Sequence, residues 1–372
     1  MNARYAPLGS LLLALGLLGL AGCGQAPSTQ SSPWAAWNQE NKPINFRPGY
    51  RYKLEELPLS GNLTSTPWTD SYWPSDHGGI AYRWLRNEKG FDYNLLSQAA
   101  LRTMTPKDLA TLSPAEKYDI FRGRYDFPTV LEERDRTSAK SHYWEGLCHG
   151  WAAAALNYAE PQSVLMRNRD GILIPFGATD VKALLSYAEG ELSTGTEVYL
   201  GERCDATFKR HPWARRRSEC KDVNAGAFHV VLANEIGRLK RGFIADVTRD
   251  AEVWNHPVYA YSSMIVSQRL PSGGEALGTV VVKTLRTEMS YRLENQQDWN
   301  KVGADDFSFT IEYRYRLEIN IHGEIIGGSW ISGDHPDFLW AKELDPRRNL
   351  VDDVDTILRA SLKSRGITHL AR

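Results

Sequence analysis

The sequence predicts an α+β protein in which a helix with cysteine at its N-terminus packs on an antiparallel sheet. Three stretches lead to that class. Residues 143–161, YWEGLCHGWAAAALNYAEP, place Cys148 after a Gly-containing turn, Glu145-Gly146-Leu147, and before an alanine run, 152–155, of strong helix formers; Pro161 closes the segment. Two apolar runs, 224–232 and 243–247, flank a basic Gly-bounded turn at 236–242 and read as an antiparallel hairpin. Over 307–322, Phe307, Phe309, Ile311, Tyr313, Tyr315, Leu317, Ile319 and Ile321 alternate with polar residues, the period of a strand with one dry face and one wet face.

The N-terminus bears on compartment. Arg4 and the apolar residues 11–20 have the form of a cleaved leader, too short to span a bilayer as a mature helix. The ending Leu20-Ala21-Gly22-Cys23 resembles the lipobox of bacterial lipoproteins, which implies cleavage after residue 22 and lipidation of Cys23; an ordinary secretory signal is the alternative. Gly24 at the next position points to the outer membrane, so the expected location is the bacterial cell envelope. Residues 23–45, rich in Ser, Gln, Pro and Asn at their start, read as a tether. Residues 46–372 then form a single catalytic domain whose part at 277–345 is β-rich.

Lys and Arg number 44 against 45 Asp and Glu, so no global charge draws the chain to nucleic acid. The local cluster Lys209-Arg210-His211 and Arg215-Arg216-Arg217 reads as a solvated loop. Four cysteines remain to be sorted. With Cys23 as anchor and Cys148 set apart, Cys204 and Cys220 are expected to form a disulfide in an oxidising envelope. A loop of that length is worth about 3 kcal/mol in the chain-entropy account. A metal pair is the alternative, but the spacing matches no zinc pattern.

The remaining elements follow in order. Pro67-Trp68 and Tyr72-Trp73-Pro74 form an aromatic loop, read as core with cleft wall as the alternative. Thr105-Pro106-Lys107-Asp108 and Ser113-Pro114-Ala115-Glu116 each set a hydroxyl cap, Pro at the first helical position and an acid three residues after the cap, so two short helices start there. Residues 180–188 supply another helix. Residues 252–258 read as a loop in which Trp254 or Asn255 lines the site or serves structure. Residues 280–285 read as a strand, Gly323 turns the chain into a returning strand at 325–331, and 352–362 form a last amphipathic helix.

Cys148 at a helix start faces unpaired N–H groups and the positive end of the dipole, which favours the thiolate that a nucleophile needs. A turn centred between Arg238 and Leu239 would set His229 opposite Thr248 with Asp246 as its diagonal neighbour, in reach of a hydrogen bond. A one-residue slip would move Asp246 to the other face. In this register His229 is the base and Asp246 its orienter. The Cys148 N–H and a side chain, Trp144 or His142, are the expected oxyanion donors. His149 is a weaker base candidate, because successive helical residues do not face each other. The order Cys, His, Asp is that of papain-like thiol enzymes.

Residues 144–152, 224–229 and Asp246 with 252–258 resemble the transglutaminase elicitor family, best known from secreted oomycete transglutaminases. Gly327-Gly328-Ser329-Trp330, Pro336-Asp337-Phe338-Leu339-Trp340 and the early Trp-rich loop extend the resemblance over about residues 60–345; His256 stands where the family pattern has Gln. The resemblance implies a papain/transglutaminase-like core and protein-glutamine γ-glutamyltransferase activity, with a protein glutamine donor and an amine acceptor as partners. The same triad would also serve a cysteine peptidase or amidase, since both pass through a thioester. A non-catalytic surface binding protein is the third class. No cofactor or metal is expected, with calcium dependence undecided: Asp305-Asp306 and Asp352-Asp353 lack a loop of spaced oxygen ligands.

Overall fold

A computed structural model describes residues 37–192, 195–203, 221–249, 252–299, 302–303, 307–343 and 352–363, all within one compact unit, Ser31–Arg372. In chain order the helices are α1 (Pro43–Phe46), α2 (Gln98–Thr103), α3 (Pro106–Leu109), α4 (Pro114–Phe121), α5 (Pro128–Arg136), α6 (Cys148–Asn157), α7 (Ala178–Tyr187), α8 (Ala225–Leu232) and α9 (Asp352–Lys363). The strands are β1 (Ser60–Asn62), β2 (Val164–Arg167), β3 (Leu173–Phe176), β4 (Thr196–Leu200), β5 (Phe243–Asp246), β6 (Asn255–Arg269), β7 (Val281–Arg292), β8 (Ser308–Ile319), β9 (Ile325–Trp330) and β10 (Leu339–Glu343). No described helix is long and apolar enough to cross a membrane.

The main sheet is antiparallel, in the order β4-β10-β5-β6-β7-β8-β9, with β1 added alongside β6; β2 and β3 pair separately. Its two faces bury different cores. Ile244 of β5 and Trp340 of β10 pack with Trp151 and the alanines of α6, with α7 and with α9. Phe243, Ala245, Leu339 and Ala341, one residue out of step on the same strands, pack with α8 and with Tyr313, Tyr315 and Leu317 of β8. Strand period alone accounts for this split, since successive side chains point to opposite faces. α6 and α8 therefore lie on opposite sides of the sheet.

Several elements form as the sequence predicts. Thr105 with Asp108 and Ser113 with Glu116 make reciprocal capping boxes at the starts of α3 and α4. Trp68 and Trp73 of the aromatic loop are core, fully or nearly fully buried. β8 and β9 are joined by a turn that Gly323 closes at φ +78°, with Leu317 opposite Gly328. The helix ending the described residues spans Asp352–Lys363.

The hairpin is a correction. Residues 225–232 are α8, a helix that continues as a π-helical stretch, Ala233–Leu239, before β5. Asn224 caps it: Oδ1 accepts from the Gly226 and Ala227 N–H groups at 2.9 and 3.4 Å, while Nδ2 donates to the Gly328 carbonyl at 3.0 Å. Every residue of α8 is buried, so the segment is apolar all round and has no amphipathic period to distinguish it from a buried strand. A Cβ at Gly226 would strike the Gly327 backbone, and this close approach seats α8 on β9.

Two further boundaries shift. The fold begins before Phe46: Asn41 is buried, donating through Nδ2 to the Asp222 carbonyl at 2.9 Å and accepting from the Asn224 N–H. Residues 37–45 thus belong to the packed body rather than to a tether. Within 252–258, β6 already starts at Asn255, opposite Asp246 of β5.

Candidate functional site

α6 starts at Cys148, with Leu147 as N-cap and no side chain capping the first turn. Leaving those N–H groups uncapped keeps the positive end of the helix facing the thiol. The approach to α6 is pinned by the segment around Tyr72: the Leu147 N–H donates to the Tyr72 carbonyl at 2.6 Å and the Ser75 N–H to the Glu145 carbonyl at 2.8 Å. From the other side Gly150 sits against α7, where a Cβ would run into the Ser186 carbonyl oxygen. Cys148 is 4% exposed, so both its neighbours and its access are set by these contacts.

Sγ lies between two groups of the chain entering β6. Asn255 Nδ2 donates to it at 3.4 Å, and the thiol donates to the Val253 carbonyl at 3.8 Å. Asn255 Oδ1 in turn accepts from Trp340 Nε1 at 2.8 Å. An indole N–H only donates, so it fixes the amide with its oxygen toward Trp340 and its NH₂ toward sulfur. Trp254 Nε1 donates to Glu252 at 2.9 Å, and its ring packs edge-on to Tyr72.

His149 comes closer to the chemistry than helical spacing suggests. Its ring packs over Gly190, and Nε2 lies 3.7 Å from Glu191 Oε1. Burial alone would lower its pKa, but Cys148 and Glu191 outweigh burial and push it up to about 9. Glu191 is held below the usual carboxylate range, chiefly by His149 and, against burial, by Arg136, whose guanidinium is 3.5 Å away.

Of the other expected site residues, Asp246 lies fully buried at the end of β5. It has the same strand parity as Ile244 and pairs with Asn255, and so shares the sheet face that carries Cys148. His229 is on α8, on the far face. Its Nδ1 is 2.8 Å from the Tyr315 hydroxyl, which lies 2.7 Å from the Thr287 hydroxyl, itself 2.8 Å from that of Ser263. Burial pushes its pKa down to about 4. The structure thus brings Cys148 and Asp246 to one face and sets His229 on the other, because the helical form of 225–232 abolishes the cross-strand register that would have joined His229 to Asp246.

His142 and Trp144 stack on each other, centroids 6.1 Å apart, and Arg203 lies over the Trp144 ring at 5.8 Å. A side-chain N–H aimed at sulfur comes from Asn255. Cys23, Cys204 and Cys220 lie outside the described residues, as do the basic cluster at 209–217 and Asp305-Asp306; Asp353 pairs with Arg122 at 3.2 Å. Among the described residues no group of three or more His, Cys, Asp or Glu is placed to hold a metal ion. Sequence reasoning missed Glu191, which no motif marks, and the part played by Trp340, although its Pro-Asp-Phe-Leu-Trp stretch stood out.

A family model described as transglutaminase elicitor matches residues 133–360. No curated protein matches the chain. Among solved structures, the crystal structure of the GP42 transglutaminase from Phytophthora sojae superposes with a TM-score of 0.65 at 23% identity, covering 89% of this chain and 99% of that one. That likeness establishes the mixed helix and antiparallel-sheet fold. The family model spans more than half of the 372 residues, and the chain belongs to the transglutaminase elicitor family.

Proposed function

We propose that the protein is a transglutaminase-type acyltransferase. In this reading Cys148 attacks the carboxamide of a protein-bound glutamine, ammonia leaves, and the acyl group passes from the thioester to a primary amine. The observation that carries it is the setting of Sγ: first residue of α6, an amide donor from Asn255 on one side, and the His149–Glu191 pair on the other. A charged imidazole beside sulfur favours the thiolate and then supplies the proton that departing ammonia needs. The first-turn N–H groups and Asn255 Nδ2 are the donors nearest the developing oxyanion.

A second assignment keeps His229 as base and Asp246 as orienter. The position of Asp246 on the Cys148 face favours its half of that assignment, while the Tyr315 contact of His229 favours a structural role for the imidazole. The two are separated by comparing His149→Gln with His229→Gln. Lipid anchoring through Cys23 at the bacterial envelope, with a Cys204–Cys220 disulfide, completes the proposal on sequence grounds.

The test measures ammonia release from a glutamine-containing protein, with and without a fluorescent primary amine, for wild type and Cys148→Ala. Amine incorporation that disappears in Cys148→Ala is expected. Ammonia without incorporation would make the protein a deamidase, and peptide cleavage a peptidase. Identical behaviour of wild type and variant would leave a binding role.

A further inference from the structure

A groove of about 550 Å³ lies beside β4, lined among others by Tyr199, Phe338, Arg203, Glu40, Glu202 and Asn45. Two separate sets of contacts connect it to the thiol. Along the sheet, the Phe338 carbonyl accepts from the Asp246 N–H at 3.2 Å. Asp246 lies across from Asn255, whose amide donates to Sγ at 3.4 Å. On the chain entering α6, the Arg203 guanidinium lies over the ring of Trp144 at 5.8 Å, shortly before Cys148. The aromatic walls belong to the Cys148 face of the sheet. Phe338 packs with the α6 core, and Tyr199 pairs with Trp340 of that core and stacks on it at 6.0 Å.

These walls select by shape and apolar surface rather than by charge. Tyr199 stands in an aromatic row, with Phe338 6.5 Å away and Trp340 on its other side, yet it is 46% exposed. An exposed ring in a recess of this kind offers offset or edge-on contact to another ring. The charges around it are matched within the chain: Lys221 Nζ is 2.6 Å from Glu40 and 3.4 Å from Glu202, and Arg203 lies over Trp144. Spacing sets which residue of a bound chain arrives there. Phe338 leads into β10, and the sheet order β10-β5-β6 puts two strand spacings between it and Asn255. At about 4.8 Å per strand that is about 10 Å, which an extended chain covers in about three residues.

We infer that this groove is a subsite for an aromatic side chain of the glutamine donor, about three residues from the glutamine that Cys148 attacks. Such a subsite rests on the acyl-transfer reading above. It narrows the donor to extended segments that carry Phe, Tyr or Trp at that spacing.

The test gives full-length wild type, Tyr199→Ala, Asn45→Trp and Cys148→Ala a fluorescent primary amine and a set of alanine-based peptides. Each peptide holds one glutamine and a single Phe, moved stepwise outward on either side, and a peptide without Phe is the reference. The readout is the ratio of kcat/KM, Phe peptide over reference, taken within each variant so that a general loss of activity or stability cancels. Wild type is expected to favour Phe about tenfold at about three positions from the glutamine on one side. Removing the ring in Tyr199→Ala should bring that ratio close to unity, and bulk added at the exposed Asn45 should lower it as well. A wild-type ratio near unity at every spacing, a preference confined to the residues next to glutamine, or a preference that either variant leaves intact overturns the subsite alone. Absence of Cys148-dependent amine incorporation and ammonia release with every peptide overturns the acyl-transfer reading and the subsite with it.

Discussion

Around Cys148, identity and position were legible to different degrees. Cysteine ahead of an alanine run at a Gly turn is a local pattern, and the helix start is where that pattern puts it. Glu191 was not legible, because it reaches His149 only through the packing of the π-helical turn Ala188–Leu192 against α6. The role of Glu191 is open to measurement. Glu191→Gln removes one of the two groups that raise His149, so its imidazole, about 9 in wild type, should titrate at lower pH by histidine NMR. The sign for stability follows from the raised value. The contribution is full below the unfolded value of about 6.5 and lost as pH rises through about 9. Denaturant unfolding should therefore separate wild type from variant at pH 6 and bring them together near pH 10.

Elements whose signals are local formed as read. A capping box needs only residues three apart, which is why α3 and α4 start where Thr105 and Ser113 put them. β8 declared itself by alternation because one of its faces is wet. α8 had neither advantage, for it is buried on all sides, and its apolar run fits helix and strand alike. The informative residue was Asn224, a favoured N-cap just before the run. Asn224→Ala should cost about 1–2 kcal/mol from the cap alone, and more through the lost bond to Gly328. Thermal unfolding should show a lowered Tm, whereas a variant as stable as wild type would argue against this cap as a determinant of the helix.

Across the molecule, a two-faced sheet keeps Cys148 and His229 apart, and it also leaves buried neutral histidines in the core. His229, pushed down to about 4 by burial, stays neutral in the native state while the unfolded chain protonates near 6.5. Below that pH the unfolded state binds the extra proton, so native stability falls as pH drops from about 6.5 to 4. His229→Gln removes this penalty. Wild type should lose up to about 3 kcal/mol relative to the variant across that window, measured by urea unfolding at pH 7 and 4.5. The same variant separates the two base assignments, since acyl transfer that survives it excludes His229 as the base. What the sequence determined by itself was everything set by near neighbours: the α+β class, the helix behind Cys148, the capped helices, the alternating strand and its return, and the family these residues mark. Only the tertiary structure decided which residues meet the thiol. Asn255 and Glu191 reach its neighbourhood, and His229 leaves it, through strand parity and helix packing between segments far apart in the chain, and no local pattern encodes those contacts.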